Sequence, residues 1–391
     1  MDMKALPWLA DDTIARMTAW RRDLHAHPET AYEEHRTSEI VANALQAMGI
    51  EIHRGLAGTG VVGTLRNGDG PSIGLRADMD ALDMTELGDK PYMSKTPGKM
   101  HGCGHDGHTS MLLGAAEYLA KHRNFRGTVH FIFQPAEENE GGGKKMIEDG
   151  LFDLFPCDSV YGMHNMPSMP EGIFGVRKGP IMACLDTFEV VITGKGTHAA
   201  QPERGIDPIV ASSQLINALQ TIPSRRTSAL DALVVTVTQI HGGDTWNVIP
   251  ETVVLRGTVR SFDPDVRNRA QELFGKVCAG VADTTDTKID VNYMRGYPAT
   301  VNSAAEAVIA TEVATALVGA DKVDADCVPN MASEDFAFML EAKPGAYVFL
   351  GAGKQVGKDA PLHNPYYDFN DDVLGLGARY WVALTERVLK A

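Results

Sequence analysis

Between residues 184 and 296 the strand and helix patterns follow the order β-α-β-β-α-β, and the sequence on either side follows a different order. DTFEVVITG reads as a strand, DPIVASSQLINALQTI as a helix, LVVTVTQI and TVVLRGTVRSF as two successive strands, DVRNRAQELFGKVCAGVA as a helix and KIDVNYM as a last strand. This is the ferredoxin-like arrangement, a two-layer domain in its own right. Upstream, residues 11–49 read as helical. VVGTLRN, SIGLRADMD, GTVHFIFQ and SVYGMHN then alternate as strands with the helical TSMLLGAAEYLAKHR and KKMIEDGLF. Downstream come the helix SAAEAVIATEVATALV, the buried strand GAYVFLG and the helix DDVLGLGARYWVALTERVLK. Such alternation calls for an α/β fold with a mostly parallel sheet and helices on both faces. The α/β domain is therefore expected in two parts, residues 1–183 and 297–391, with the ferredoxin-like domain inserted at 184–296.

A chain of 391 residues can bury a large core, so a metal site in it would serve chemistry rather than folding. The net charge of −15 repels phosphate backbones and anionic headgroups, which argues against nucleic acid and membrane partners. The five cysteines are scattered and show no CxxC pair, a usage that suits a reducing compartment. No apolar run approaches a membrane span and the N-terminal stretch is not a secretory signal, so the cytoplasm is the expected location.

In open α/β sheets ligands gather at the carboxyl ends of the strands. Asp78 and Asp80 follow SIGLR, Glu137 and Glu138 follow TVHFIFQ, His164 follows SVYGM, and His363 lies in the loop after GAYVFLG. MHGCGHDGHTS (100–110) adds His101, Cys103, His105 and His108 just before a helix. Thiolate, imidazole and carboxylate together suit zinc, manganese, cobalt or nickel. Two ions about 3.5–4 Å apart need a bridging anion, for which Cys103 and the Asp78/Asp80 pair are the candidates. Adjacent Glu137 and Glu138 point to opposite sides, so one can hold a metal while the other takes a proton from water. The GGG that follows lets the backbone pass close to a ligand. Taken singly these features have plainer readings: a helix cap for the glutamates, turn residues for the aspartates, a redox sensor or nucleophile for Cys103. The plain readings must all hold together to remove the metal site.

The motifs RADMDALDMTE, MHGCGHDGHTSML, FIFQPAEENEGGG, GMHNMP, GKGTHAAQP, NVIP, SEDF and LHNP resemble the amidohydrolase branch of the aminoacylase and glutamate-carboxypeptidase metallopeptidase superfamily. That branch includes hippurate hydrolases, N-acyl-amino-acid amidohydrolases and indole-3-acetyl-amino-acid hydrolases. The resemblance covers almost the whole chain, and the cysteine of GCGHDGH is particular to the branch.

The resemblance implies two divalent ions per subunit held by Cys103, His105, Glu138, His164 and His363, with Cys103 as the bridge. It implies Glu137 as general base and Asp78 as the acid that orients a ligand histidine. His101 and His108 are not ligands in the branch; His108 is expected to pack at the helix start. In the inserted domain, expected to act as lid and dimerisation domain, His198 and Asn247 resemble residues that polarise the scissile carbonyl. Arg295 is a candidate for the substrate carboxylate, with Arg260 competing, and Ser333 and Glu334 are expected to line the pocket. The ELGDK loop at 86–90 lies where substrate choice is expected to vary. The implied reaction is hydrolysis of a small N-acyl-L-amino acid (N-acetyl, N-benzoyl or indole-3-acetyl) by a homodimer or homotetramer. The alternatives are a dipeptidase or carboxypeptidase of the same superfamily and a non-catalytic metal-binding protein on this scaffold.

Overall fold

The computed structural model describes residues 10–138 and 140–390. The chain divides into two compact units: Met1–Ile181, Val301–Val328 and Asp335–Ala391 form the larger, and Met182–Thr300 with Pro329–Glu334 form the smaller. The second stretch of the smaller unit, 329–334, lies far in sequence from the 184–296 block and contains Ser333 and Glu334.

The larger unit is built on an eight-stranded sheet. Its centre is four parallel strands in the order Gly127–Gln134, Ser72–Asp78, Ser159–Pro170 and Gly345–Gly353. Gly60–Asn67 and Glu51–Leu56 extend one side antiparallel; Phe174–Gly175 and Val323–Asp324 complete the other. Gly345–Gly353 is buried at every residue and Ser72–Asp78 at all but the first, which is why these strands read as apolar runs rather than alternating patterns. The helix His105–His122 lies against the helices Asp11–Ala26 and Leu374–Val388. Among the described residues no helix is long and apolar enough to cross a membrane.

The smaller unit is a four-stranded antiparallel sheet in the order Leu233–His241, Thr252–Ser261, Asp186–Thr193, Lys288–Arg295. In sequence terms that is 2-3-1-4, the ferredoxin-like order. The strand Asp186–Thr193 alternates buried and half-buried residues along its whole length. Its inward Phe188, Val190 and Ile192 pack with Leu215 and Phe274 from the helices Pro208–Leu219 and Pro264–Thr285. Both helices start on an Asp-Pro pair. Asp207 and Asp263 each accept two backbone N–H bonds, while proline takes a first-turn position that has no N–H to satisfy.

Candidate active site

Asp78 ends the strand Ser72–Asp78 and Asp80 follows two residues on. Both are buried, and they do different things. Asp80 Oδ1 lies 3.2 Å from His105 Nδ1, and its Oδ2 accepts the Glu138 backbone N–H at 2.9 Å. Asp78 Oδ1 lies 2.6 Å from His108 Nδ1, and its Oδ2 pairs with Arg76 at 2.7 Å. Its approach to His105 Nε2 is 3.7 Å. The acid that orients His105 is therefore Asp80. Asp78, expected in that role, instead holds His108. The backbone N–H of Asn165 donates to His108 Nε2 at 3.0 Å, so the proton of neutral His108 sits on Nδ1 and is donated to Asp78.

The glycine-rich stretch is not a loop throughout. The helix begins at His105, so His105 and His108 stand three apart on its first turn with stacked rings 5.5 Å apart. Gly104 precedes it at φ 91°, and a Cβ there would come within 2.4 Å of Asn165 Nδ2. Only glycine allows both the left-handed backbone and the close approach. Behind this turn Asp106 Oδ2 meets His25 Nδ1 at 2.8 Å, and His25 Nε2 meets Glu86 Oε1 at 3.0 Å. Burial opposes a charge on His25, but the two carboxylates outweigh it and push the histidine up to about 9. Glu86 of the ELGDK loop is thus a buried anion that meets the helix start through His25 and Asp106.

Two donor triads share Cys103. Its sulfur, His105 and His164 form one; its sulfur, Glu138 and His363 form the other, with all donor atoms in each triad within 4.8 Å of one another. Cys103 Sγ is 3.4 Å from His164 Nε2, and His164 Nδ1 donates to the Asn165 carbonyl at 2.7 Å, which leaves the Nε2 lone pair facing the sulfur. His363 Nε2 is 3.2 Å from Glu138 Oε1. His363 adopts φ 62°, sparsely populated for a residue with a side chain, and its backbone N–H is tied to the Gly102 carbonyl at 2.8 Å. His105 Nε2 is buried and has no hydrogen-bond partner among the described residues. Burial works against the His105 charge, yet Asp78, Asp80 and Glu138 push it up to about 10. Burial, followed by the charges of Glu138, Glu137 and Asp78, holds the Cys103 thiol well above its ordinary range. A cluster buried at Cys103, His105 and His164 and open at His363, with this much negative charge and an orphaned imidazole nitrogen, fits divalent cations.

Glu137 is buried between Ala136 and Glu138, and its Oε1 accepts the Asp335 backbone N–H at 3.4 Å. The Asp335 carboxylate is in turn bound by Arg76 at 2.9 Å, by Gln134 at 2.8 Å and by the Gly143 N–H at 2.7 Å. Of the following glycines, Gly142 would place a Cβ 1.8 Å from the Pro135 carbonyl oxygen. The close approach that Gly142 permits is toward the chain's own turn, and that of Gly143 is toward the side chains of Gln134 and Asp335.

In the smaller unit, the two-residue strand Thr197–His198 pairs with Val248–Ile249, and the Ala199 N–H donates to the Asn247 carbonyl at 2.9 Å. His198 and Asn247 are therefore neighbours, and both are exposed. The Ala200 N–H donates to His198 Nδ1 at 3.0 Å, which makes Nε2 the protonated nitrogen of the neutral ring. Arg295 is turned onto the helix Pro264–Thr285, bound to Gln271 at 2.8 Å and Asn268 at 2.7 Å. Arg260 donates to the Met331 carbonyl at 3.0 Å. Glu334 is buried and Ser333 half-buried. Sequence reasoning assigned no definite part to Asp80, and none to Arg76, Asn165 or Asp335. The one signal for Asp80 was its two-residue spacing from Asp78, which places both side chains on one side of an extended chain.

Residues 74–387 match the sequence model of peptidase family M20/M25/M40, and the chain belongs to this family. It is a metal-dependent hydrolase of amide C–N bonds, of the amidohydrolase branch its motifs resemble. It is 42% identical to the hippurate hydrolase of Campylobacter jejuni over 95% of this chain and 96% of that protein. It is 41% identical to an N-acetyl-L-cysteine deacetylase of Bacillus subtilis over 94% of this chain and 87% of that protein. A solved Bacillus subtilis structure, described as a dinuclear metal binding peptidase from the M20 family, superposes with a TM-score of 0.84 at 34% identity, covering 97% of this chain and 99% of that one.

Proposed function

We propose that this enzyme hydrolyses the amide bond of N-acyl-L-amino acids, releasing a carboxylic acid and an amino acid, and that it holds two divalent ions. The observation that carries this reading is the pair of donor triads sharing Cys103, with Glu137 beside them. Cys103, His105 and His164 would hold one ion, and Cys103, Glu138 and His363 the other. Sulfur, imidazole and carboxylate donors favour zinc, manganese, cobalt or nickel over magnesium or calcium. Bound there, the ions would supply Lewis acidity toward water and the scissile carbonyl. Glu137 takes a proton from the attacking water and passes a proton to the leaving amine. The Nε2–H of His198 is a neutral donor suited to the developing oxyanion, and Asn247 stands beside it. Arg260 is the better candidate for the substrate carboxylate, because the Arg295 fork is already engaged by Gln271 and Asn268.

The relatives named for a hippurate and an N-acetyl amino acid support benzoyl and acetyl substrates; the indole-3-acetyl group is the third member of the proposed range. A homodimer or homotetramer is proposed through the smaller unit. Its edge strand Leu233–His241 exposes Val234 and Ile240, and Leu230 and Trp246 nearby in sequence are fully in solvent. Five free, buried cysteines support a cytoplasmic enzyme. The test is a panel of N-acetyl, N-benzoyl and indole-3-acetyl amino acids, with dipeptides alongside, assayed after chelation and reconstitution with each metal. Preference for the acyl amino acids is expected; preference for dipeptides would move the enzyme to the peptidase branch, and activity that survives chelation would remove the ions.

A further inference from the structure

Glu34 is fully buried, carries no role in the reaction above, and reaches the turn that presents Glu137. Its Oε1 accepts the backbone N–H of Ala136 at 2.9 Å and that of Tyr32 at 3.1 Å, and its Oε2 accepts the Thr59 hydroxyl at 2.7 Å. Ala136 and Tyr32 both adopt left-handed backbone, at φ 55° and 62°, without being glycine. Such residues persist only where their surroundings hold them. On the far side of the same turn, the Tyr32 hydroxyl donates to the Glu140 carbonyl at 3.2 Å, and the Gly142 N–H closes the turn onto the Ala136 carbonyl at 2.9 Å. The segment 32–34 therefore grips the glutamate turn at both ends, one residue before Glu137 and two after Glu138.

We infer that Glu34 and Tyr32 form a clamp that positions the general base Glu137, with Glu34 acting as a hydrogen-bond acceptor that keeps Ala136 in its strained conformation. The inference rests on the reading of Glu137 given above. Neither residue touches substrate; both act through the backbone of the turn. Burial pushes the Glu34 carboxyl up to about 7, so a neutral glutamine resembles a state that Glu34 itself can adopt. Glutamine also keeps all three bonds: its carbonyl oxygen accepts both N–H groups, and its amide can donate to the Thr59 oxygen once that hydroxyl turns.

The experiment is steady-state kinetics on the metal-loaded enzyme with N-acetyl and N-benzoyl amino acids. Glu34→Met, of similar volume and without an acceptor, should lower kcat about 10- to 100-fold with KM little changed, as expected for a base displaced by a fraction of an ångström. Glu34→Gln should return kcat to within about threefold of wild type. In the Glu34→Met background, Ala136→Gly should recover about tenfold, because glycine holds φ near 55° unaided. Tyr32→Phe, which removes only the far-side bond, should lower kcat about three- to tenfold, and it carries the test should Glu34→Met fail to fold. Wild-type kcat in Glu34→Met, or in Tyr32→Phe where it stands alone, overturns the clamp. So does a Glu34→Gln variant as slow as Glu34→Met. Glu137→Ala serves as control: if it retains turnover, the reading of the whole site fails; if it is inactive while Glu34→Met is fully active, the clamp alone fails.

Discussion

In the larger unit Asp78, Asp80, His105, His108 and His164 are all buried, and each has a nitrogen or oxygen held by another group within 3.2 Å. In the smaller unit His198 and Asn247 stand in solvent at a pairing of two-residue strands from distant parts of the chain, and Arg295 lies at the end of an edge strand. The first arrangement can hold charge and metal donors at set distances, because low dielectric and a full set of partners leave few alternative positions. The second holds one ring in one tautomer through a single backbone bond and leaves it free to meet a ligand. Of the donors in the two triads, Cys103, His105 and His164 are buried, Glu138 is half-buried and His363 is exposed, so the donor cluster opens from the buried set toward solvent.

The strongest challenge to that division is Glu137→Ala. It should lower kcat about 10²- to 10⁴-fold while elemental analysis still finds two ions, since the two triads sharing Cys103 stay intact. Near-wild-type turnover would mean that the buried set does not contain the base. Next is His198→Ala, expected to lower kcat about 10²- to 10³-fold with metal content unchanged, as for loss of one oxyanion donor. Loss of metal in this variant would show that His198 belongs with the metal ligands, and the contrast would fall.

A sharper version lies within the buried set. Asp80→Asn removes the charged partner of His105 Nδ1 and should weaken metal affinity about 10- to 100-fold, measured by chelator titration. Asp78→Asn should act mainly on stability. Arg76 would lose a buried carboxylate partner, and breaking such a pair costs about 3–5 kcal/mol. Thermal melting and metal titration on the two variants should therefore give opposite rankings; identical rankings would show that the two aspartates do one job.

The amino-acid types at the strand ends already pointed to the metal site, because thiolate, imidazole and carboxylate carry their chemistry wherever the chain takes them. The inserted unit was legible for a different reason: the alternation in DTFEVVITG is a direct imprint of one buried sheet face. The assignments that needed coordinates were those between near-equivalent neighbours. Asp78 and Asp80 are the same residue type, two apart on one strand end, and only the packing of the helix His105–His122 decides which meets His105. That helix also starts four residues earlier than TSMLLGAA implies. Three glycines in GCGHDG argue against helix by propensity, but Gly107 is packed where a Cβ would lie 2.2 Å from the Phe369 ring, so tertiary packing overrides local preference. Glu34 was illegible because the partner that ties it to the glutamate turn is the Ala136 backbone N–H, about 100 residues away, and a backbone N–H leaves no trace in residue type.

The smallest effect on turnover, and a test of how each unit holds its buried charge, comes from pH. His25 sits between Asp106 and Glu86, raised to about 9 in the folded protein against about 6.5 unfolded. A raised histidine adds stability that is complete below about pH 6.5 and is lost as pH climbs through 9, on the order of 3 kcal/mol in all. The corresponding buried pair of the smaller unit is Arg267 with Asp186, 2.5 Å apart and joined by the Tyr293 hydroxyl at 2.9 Å. Burial opposes the Arg267 charge, yet the bond to Asp186 keeps the arginine raised, and burial together with Asp186 lifts Tyr293 well above its ordinary range, so neither loses its proton before pH 10. Calorimetry at pH 6.5 and pH 10 should therefore show the larger unit losing stability while the smaller one holds. His25→Gln, which keeps the shape but cannot take the charge, should lower the melting temperature at pH 6.5 and remove the His25 share of its fall toward pH 10, the remainder belonging to His105, which is raised to about 10. An unchanged alkaline slope in that variant would place the titrating group elsewhere.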